Sequence, residues 1–383
     1  MLDYFKPVDF SFHHPDGKTP GTFSMGKAIE KSTTRLLNSG SFKPDVVIMG
    51  VPVESNRPEA EETSSPDAIR GKLYSLAMLD RKIKIADLGN LKTGTSLKGT
   101  FLALRDVIEY FRELNVISVV LGGRQDLTVG ICEAFGNNRF FSLTVIDAML
   151  DIKKGIESFH ASNFLTRIFK KYPHLFQFSL VGYQKQLVGA RNLEKTTGVA
   201  DHLRLGQLRD DFFLAEPVLR NTDVLSFDMG AVKYSDAPAT LQKNPNGLRG
   251  EEACQLGRYA GMSERLKVFG VFELIAGEDY CGVSARLAAE IVWYFLEGCS
   301  LRNHRSDFAG EDRVMYKVAL SDLEQPMVFY EDPVTDRWWY EVSSVSGETK
   351  KIACSEKEYR QAADNEIPER WLKFVQKMDQ LPK

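Results

Sequence analysis

Cysteine is scarce in this chain of 383 residues, which contains only five cysteines and no Cys-x-x-Cys pair. An odd number of scattered cysteines argues against a disulfide framework and against a zinc site built from Cys pairs. It is typical of proteins in a reducing compartment, so we expect a cytoplasmic location. The five are Cys132, Cys254, Cys281, Cys299 and Cys354.

Long apolar runs and a strong excess of one charge are also missing. No apolar run approaches the length of a membrane span, and residues 1–7 lack the basic start and apolar core of a signal peptide. The formal net charge of −3 gives no reason to expect nucleic acid or a membrane as a partner. With 43% hydrophobic residues, the chain is long enough for one large globular domain and an addition.

Three apolar runs rich in β-branched residues each end in polar residues. Residues 142–146 lead into Asp147 and Asp151, residues 116–121 lead into a Gly-Gly-Arg-Gln turn, and residues 223–227 lead into Asp228. Such runs predict buried parallel strands. Because ligands of open α/β sheets bind at the carboxyl ends of the strands, we expect these polar residues to share one site.

The same three segments resemble the signature motifs of the ureohydrolase family, which includes arginase, agmatinase and formimidoylglutamase. Those motifs read GGDH, DAHxD and SxDxD, and this chain has GGRQ, DAMLD and SFDMG in the same order and at similar separations. A fourth segment, 273–289, resembles the family's closing stretch, in which a glutamate precedes a helix opening with Gly-x-Thr/Ser-Ala. The resemblance covers about residues 45–300.

The resemblance implies a three-layer α/β/α arginase-like fold and a site for two manganese ions. In the family a histidine, four aspartates and a second histidine hold the two ions. Carried over by position, Asp147, Asp151 and Asp228 are retained, and Gln125 replaces the first histidine. The resemblance makes Asp147 and Asp228 the ligands that bridge both ions, while Gln125 and Asp151 complete the shell of the first ion.

The shell of the second ion is depleted. Met149 stands in place of the second histidine, and Gly230 in place of the last aspartate. Glycine has no side chain to offer, and a thioether is too soft a ligand for manganese. We therefore expect the second metal to be absent. Since the family's reaction uses a hydroxide that bridges two metals, we also expect very little classical ureohydrolase activity.

Two alternatives are open for the first ion. Three aspartates and the Gln125 carbonyl form an all-oxygen set that a hard cation such as Mg²⁺, Ca²⁺ or Mn²⁺ accepts. Arg124, at the position of the GGDH aspartate, could instead neutralise the carboxylates as an ion-free charge cluster. The expected cofactor is accordingly none, or a single Mn²⁺ or Mg²⁺ at a vestigial site.

Two residues outside the metal shell match family roles. Glu273 stands where the family holds the guanidinium or related group of the substrate, although a glutamate at a strand end can equally pair with Arg124. His160 lies near the position of a proton-shuttling histidine, but the glycine and proline that accompany that histidine in the family are missing. A lone histidine is more often structural. The candidate catalytic residues are therefore Asp147, His160 and Glu273.

The order of elements predicts three parts, namely an N-terminal segment (1–44), an arginase-like domain (45–300) and a C-terminal β/α extension (301–383). In the first helix of the domain, Ser65 is predicted to be the cap that precedes Pro66. In the extension, residues 314–320, 327–331 and 338–342 read as short strands, and residues 369–379 as a final helix. The aromatic run Trp338-Trp339-Tyr340 predicts an edge at which one tryptophan meets a partner, or at which both simply pack.

The expected function follows from these losses. A degenerate family member would act by binding a small guanidino or formimino ligand, or a protein that contacts the extension. The alternative is a hydrolase of a non-peptide C–N bond that uses one metal ion or an altered site. Family members commonly form trimers or hexamers, so a homo-oligomer is also expected, with neither nucleic acid nor a membrane as partner.

Overall fold

The computed structural model describes residues 4–8, 23–31, 42–53, 64–93, 96–153, 161–173, 175–194, 196, 200–302 and 313–381. These residues form a large sheet with helices on both faces and a small antiparallel sheet near the C-terminus. Among them, none of the helices has both the length and the apolar character needed to cross a membrane.

The large sheet has nine strands in the order β1-β3-β2-β4-β9-β8-β5-β6-β7. The short edge strand β1 is antiparallel to β3, and all the other pairs are parallel. The inner strands are buried along their whole length, as apolar runs without polar alternation predict. The strands are β1 Phe5–Lys6, β2 Val46–Val51, β3 Ile85–Leu91, β4 Ile117–Gly122, β5 Ser142–Ile146, β6 Gln177–Tyr183, β7 Ala200–Arg204, β8 Val224–Asp228 and β9 Val268–Phe272.

Helices cover both faces of this sheet. Alternate residues of β2 enter two separate cores: Val46 and Ile48 belong to one, and Val47 and Met49 to the other. The predicted three-layer α/β/α arrangement is therefore confirmed. The helices of this part are α1 Met25–Ala28, α2 Ser65–Ser75, α3 Leu97–Glu113, α4 Thr128–Glu133, α5 Phe164–Lys171, α6 Ala190–Glu194, α7 Leu205–Asp210, α8 Ala215–Arg220, α9 Gly250–Gly261 and α10 Val283–Ser300.

The C-terminal extension forms its own four-stranded antiparallel sheet, in the order β10-β11-β12-β13, with two helices against one face. The predicted strands and final helix are present. A fourth strand and a capped helix were not predicted, because the lysine-rich strand sequence lacks a clear apolar alternation. The elements are β10 Val314–Val318, β11 Met327–Asp332, β12 Arg337–Ser343, β13 Thr349–Cys354, α11 Glu356–Ala363 and α12 Glu369–Gln380.

The aromatic run of the extension is internal, so its prediction as an edge was wrong. β12 lies between β11 and β13, and Trp338, Trp339 and Tyr340 are all buried. Trp338 stacks on Tyr359 with ring centroids 4.6 Å apart. Trp339 lies against Arg220 of the main domain, whose guanidinium carbon is 4.5 Å from the ring centroid. Both tryptophans therefore pack within the chain.

The extension contacts the main domain at the amino ends of the strands in the large sheet. Arg220, at the end of α8, donates to the carbonyl oxygens of Trp338 and Cys354, each at 3.1 Å. Asn221 bonds both the N–H and the C=O of Ala353, so a side chain pairs with the outer edge of β13. Because residues 220 and 221 precede β8, the extension lies at the end of the sheet opposite the carboxyl ends of the strands.

Candidate functional site

The predicted site residues follow four adjacent central strands, β4, β9, β8 and β5. Asp228 is the last residue of β8, and Asp147 and Glu273 each follow their strands by one residue. Ile146 pairs with Phe227, and Asp228 with Phe272, so the three acidic residues leave the sheet at nearly the same level. Adjacent strands lie about 5 Å apart, so the topology gathers these side chains at one edge.

Asp147 and Asp228 are each held by a backbone N–H two residues further on. Oδ1 of Asp147 accepts from the Met149 N–H at 2.9 Å. In the same way, Oδ1 of Asp228 accepts from the Gly230 N–H at 2.6 Å. Met149 and Gly230, which the resemblance places at two metal-ligand positions, therefore fix Asp147 and Asp228 through their main chains.

The carboxylates of the site are poorly solvated and repel one another. Burial, reinforced by the negative charges of Asp228 and Asp151, raises the pKa of Asp147 well above its usual range. Burial and then Glu273 raise the pKa of Asp228 well above that range and the pKa of Asp151 to about 7. Burial also raises the pKa of Glu273 to about 7. A group of this kind favours a bound cation or bound protons.

Gln125 supplies an unused acceptor beside these carboxylates. Its side chain is buried, and Nε2 donates to Oγ of Ser226 at 3.2 Å. Its carbonyl oxygen, Oε1, is also buried and has no hydrogen-bond partner within the part of the chain that the structure describes. Such an oxygen is costly to leave unpaired, and it is a suitable ligand for a hard cation.

Glu273 is held in a backbone conformation that is rare for residues with a side chain. Its φ is +63°, in the left-handed region, which costs roughly 1–2 kcal/mol. Two short hydrogen bonds support it: its own N–H donates to the Gly123 carbonyl at 2.6 Å, and Oε1 accepts from the Gln125 N–H at 2.6 Å. The strained residue and the GGRQ turn therefore fix each other.

Ser65 reaches this region from α2 and does not cap its own helix as predicted. The helix includes Ser65, and Ser64 is its N-cap residue. Oγ of Ser65 donates instead to the carbonyl oxygen of Leu274 at 2.7 Å. The hydroxyl thus anchors the segment that carries Glu273. The sequence pattern identified the helix start to within one residue but not this long-range contact.

Arg124 does not make the expected contacts with the three aspartates. Its guanidinium forms a two-pronged ion pair with Asp126, in which Nε donates at 3.2 Å and Nη2 makes a second bond. Its charge also acts on Glu273, where it lowers the pKa against the larger effect of burial. Asp126 was not predicted as a functional residue, and only its spacing of two from Arg124 pointed to it.

The side chains fit the two metal positions of the family unequally. Gln125, Asp147, Asp151 and Asp228 have oxygen donors suited to one hard cation. A side chain at Gly230 would place its Cβ 3.0 Å from Oδ1 of Asp228 and 3.1 Å from Cγ of Gln242, so the space for a second-ion ligand there is partly filled. In the described ranges, no group of three or more His, Cys, Asp or Glu residues is arranged to hold a metal ion.

The structure therefore brings together Gln125, Asp147, Asp151, Asp228 and Glu273, which the sequence motifs had separated by up to 148 positions. His160, the candidate proton shuttle, lies outside the described residues. The hydroxyls of Thr128 and Ser226, 2.8 Å apart and next to Gln125, were missed. Ser226 opens the SFDMG motif, which was the available signal.

Comparisons with known proteins agree with this geometry. The sequence profile of the Arginase family matches residues 44–297. No curated protein sequence matches the chain.

Three solved structures share the fold at low sequence identity. Formiminoglutamase of Trypanosoma cruzi, described with Mn²⁺, has a TM-score of 0.62 and 20% identity, covering 68% of this chain and 95% of its own. Formimidoylglutamase of Bacillus subtilis has a TM-score of 0.64 and 16% identity, covering 74% and 94%. Agmatine ureohydrolase of Thermoplasma volcanium has a TM-score of 0.56 and 19% identity, covering 67% and 89%.

Proposed function

Because this chain belongs to the arginase family, we propose that it is a divergent member whose site binds a cationic guanidino or formimino compound without classical two-metal hydrolysis. The observation that carries the proposal is the group of four buried acidic residues at the carboxyl ends of the central strands, beside which the Arg124 guanidinium is ion-paired with Asp126. The group consists of Asp147, Asp151, Asp228 and Glu273.

A planar cation suits this arrangement better than a neutral ligand. Guanidinium and amidinium groups donate parallel N–H bonds to carboxylates, and these charge-assisted bonds are roughly twice as strong as neutral ones. Glu273 has one oxygen engaged by the Gln125 N–H, which leaves Oε2 available for a ligand in the conformation that its strained backbone imposes. The relatives named as formiminoglutamase and agmatine ureohydrolase motivate the choice of formimino and guanidino compounds.

Loss of hydrolysis follows from the donor atoms at the second metal position. Met149 offers only a thioether and Gly230 no side chain, so a second Mn²⁺ would lack two of its ligands. A hydroxide shared by two metals is what makes water a nucleophile at neutral pH in such sites. Binding without turnover is the expected consequence.

A second candidate, a hydrolase that uses one metal ion, is favoured by the unpartnered oxygen of Gln125. Gln125, Asp147, Asp151 and Asp228 would hold the ion, which would supply Lewis-acid activation of water or of an amidine nitrogen. The N–H groups of Met149 and Gly230 orient Asp147 and Asp228, and Ser226 orients the glutamine amide.

One pair of experiments separates the two candidates. Isothermal titration calorimetry with arginine, agmatine and N-formiminoglutamate, each with and without Mn²⁺, measures binding. Metal content by mass spectrometry, after incubation with excess Mn²⁺ and desalting, compares the wild type with Asp147→Ala. About one ion per chain that is lost in the variant, together with turnover of a panel compound, would favour the one-metal hydrolase.

The binding proposal makes its own prediction for Glu273. The neutral variant Glu273→Gln should weaken binding of the recognised compound about tenfold or more, because it removes the charge that faces the cation. Glu251→Gln, an exposed position at the start of α9, is the matched control and should bind as the wild type does. If no compound in the panel binds the wild type, or if both variants bind equally well, the proposal is wrong.

A further inference from the structure

A second pocket lies at the amino ends of the central strands, opposite the carboxylate site. Its volume is about 340 Å³. Its lining comes from the residues that lead into β2, β3, β4 and β9 and from the end of α10. A pocket of this size is in the range that holds small metabolites. Nothing in the function proposed above uses it.

Positive charge dominates this pocket. Lys43, Lys82, Lys267 and Arg302 line it, against the two carboxylates of Asp45 and Glu264. The chain as a whole carries a formal charge of −3, so this positive balance is local and opposite in sign to the average surface. A concave site lined by one sign of charge concentrates ions of the other sign.

The two inner cations, Lys267 and Arg302, are less exposed than Lys43 and Lys82 and bond only neutral acceptors. Nζ of Lys267 donates to Oδ1 of Asn115 at 2.7 Å. Nε of Arg302 donates to the carbonyl oxygen of Gly261 at 2.7 Å, and its two terminal nitrogens lie 3.4 Å from the carbonyl oxygen of Leu266. These bonds fix the direction of both side chains without pairing either charge with a carboxylate.

None of the four cations forms an ion pair with a carboxylate of the residues that the structure describes. Asp45 is engaged elsewhere, since its Oδ2 accepts from the Lys84 N–H at 2.9 Å. Burial and then the charge of Arg302 lower the pKa of Lys267, against smaller opposing effects of Asp223 and Glu264, so the two cations repel each other. An anion bound between them would relieve that repulsion.

We propose that this pocket binds a multiply charged oxyanion, of which the phosphate group of a small metabolite is the fitting class. Four cationic side chains that line one small cavity match a dianion better than a single carboxylate. The pocket therefore adds an anion site to one end of the sheet, while the buried carboxylates at the other end suit a cation. The placement at opposite ends keeps the two charges from competing.

The test uses the full chain and inorganic phosphate as the probe. Isothermal titration calorimetry at constant ionic strength should give saturable binding with phosphate and none with chloride. Citrate serves as a second arm that separates a preference for phosphate from one for polycarboxylates. Lys267→Gln should weaken phosphate binding about tenfold, because it removes one of the two inner charges. Lys317→Gln, an exposed lysine on β10, is the matched control and should leave binding unchanged.

A second variant guards against a folding defect in the first. Lys82 is exposed, so Lys82→Gln changes the rim charge without disturbing packing and should weaken binding several-fold. The proposal is overturned if phosphate shows no saturable binding at about 10 mM. It is equally overturned if chloride reproduces the effect, or if both pocket variants bind phosphate as tightly as the Lys317→Gln control.

Discussion

The contact between Asn221 and Ala353 should carry much of the stability of the extension. The Asn221 side chain is buried and bonds both polar groups of Ala353: Oδ1 accepts the N–H at 2.9 Å, and Nδ2 donates to the carbonyl at 3.1 Å. Asn221→Ala removes both bonds at once. The carbonyl keeps Arg370 as a donor at 2.8 Å, whereas the N–H loses its acceptor.

The expected cost can be worked out from these partners. A buried N–H left without an acceptor costs about 1–3 kcal/mol, and losing one of the two bonds to the carbonyl costs about 1 kcal/mol. We therefore expect Asn221→Ala to lower the free energy of unfolding by about 2–4 kcal/mol. Asn137→Ala is the control, because Asn137 is exposed, and its expected change is within about 0.5 kcal/mol.

Urea denaturation followed by two probes is the appropriate assay. Three of the four tryptophans, Trp338, Trp339 and Trp371, lie in the extension, so tryptophan fluorescence reports mainly on that part. Circular dichroism reports mainly on the helices of the larger domain. In the variant, the fluorescence transition should move to lower urea than in the control. A variant that unfolds at the same urea concentration as Asn137→Ala would refute the view that this contact holds the extension in place.

Two further predictions concern buried cations. Arg70 is fully buried and pairs with Asp87 at 2.9 Å. Arg70→Met should therefore lower the free energy of unfolding, measured by urea denaturation, by about 3 kcal/mol or more. A loss below about 1 kcal/mol would contradict this. Burial lowers the pKa of Lys377 to about 8, so the unfolded chain binds more protons between pH 8 and the usual lysine value near 10.5. Wild-type stability should therefore rise with pH through that window. Lys377→Met should stabilise the protein at pH 7 and lose that advantage by about pH 10.5. Thermal melts at several pH values would measure this. A stabilisation that does not change with pH would refute the lowered pKa of Lys377.

Local patterns in the sequence were enough to predict the main architecture. An apolar strand buried on both faces needs an unbroken apolar run, and such runs can be read directly around residues 46–51, 117–122 and 224–228. The thioether of Met149 and the missing side chain of Gly230 are likewise visible as single letters. The helix α3 follows from its apolar spacing.

Contacts between distant segments were beyond the sequence. Nothing local indicates that β9 lies between β4 and β8, which is what brings Glu273 beside Gln125. Arg124 could face either the aspartates or Asp126, and the choice depends on the direction of the turn after β4. The strand β13 was missed because its lysine-rich sequence lacks a clear apolar alternation, and only the fold shows that Asn221 pairs with its edge.

The sequence by itself determined which residues are available for chemistry, because donor atoms belong to individual side chains. It therefore established the oxygen donors of three aspartates and a glutamine, and a methionine and a glycine at positions 149 and 230. Only the tertiary structure decided which of these residues meet, how Glu273 is strained into position, and that the extension lies at the opposite end of the sheet. The physical reason is that strand order, register and docking are set by burial and hydrogen bonds between segments far apart in the chain.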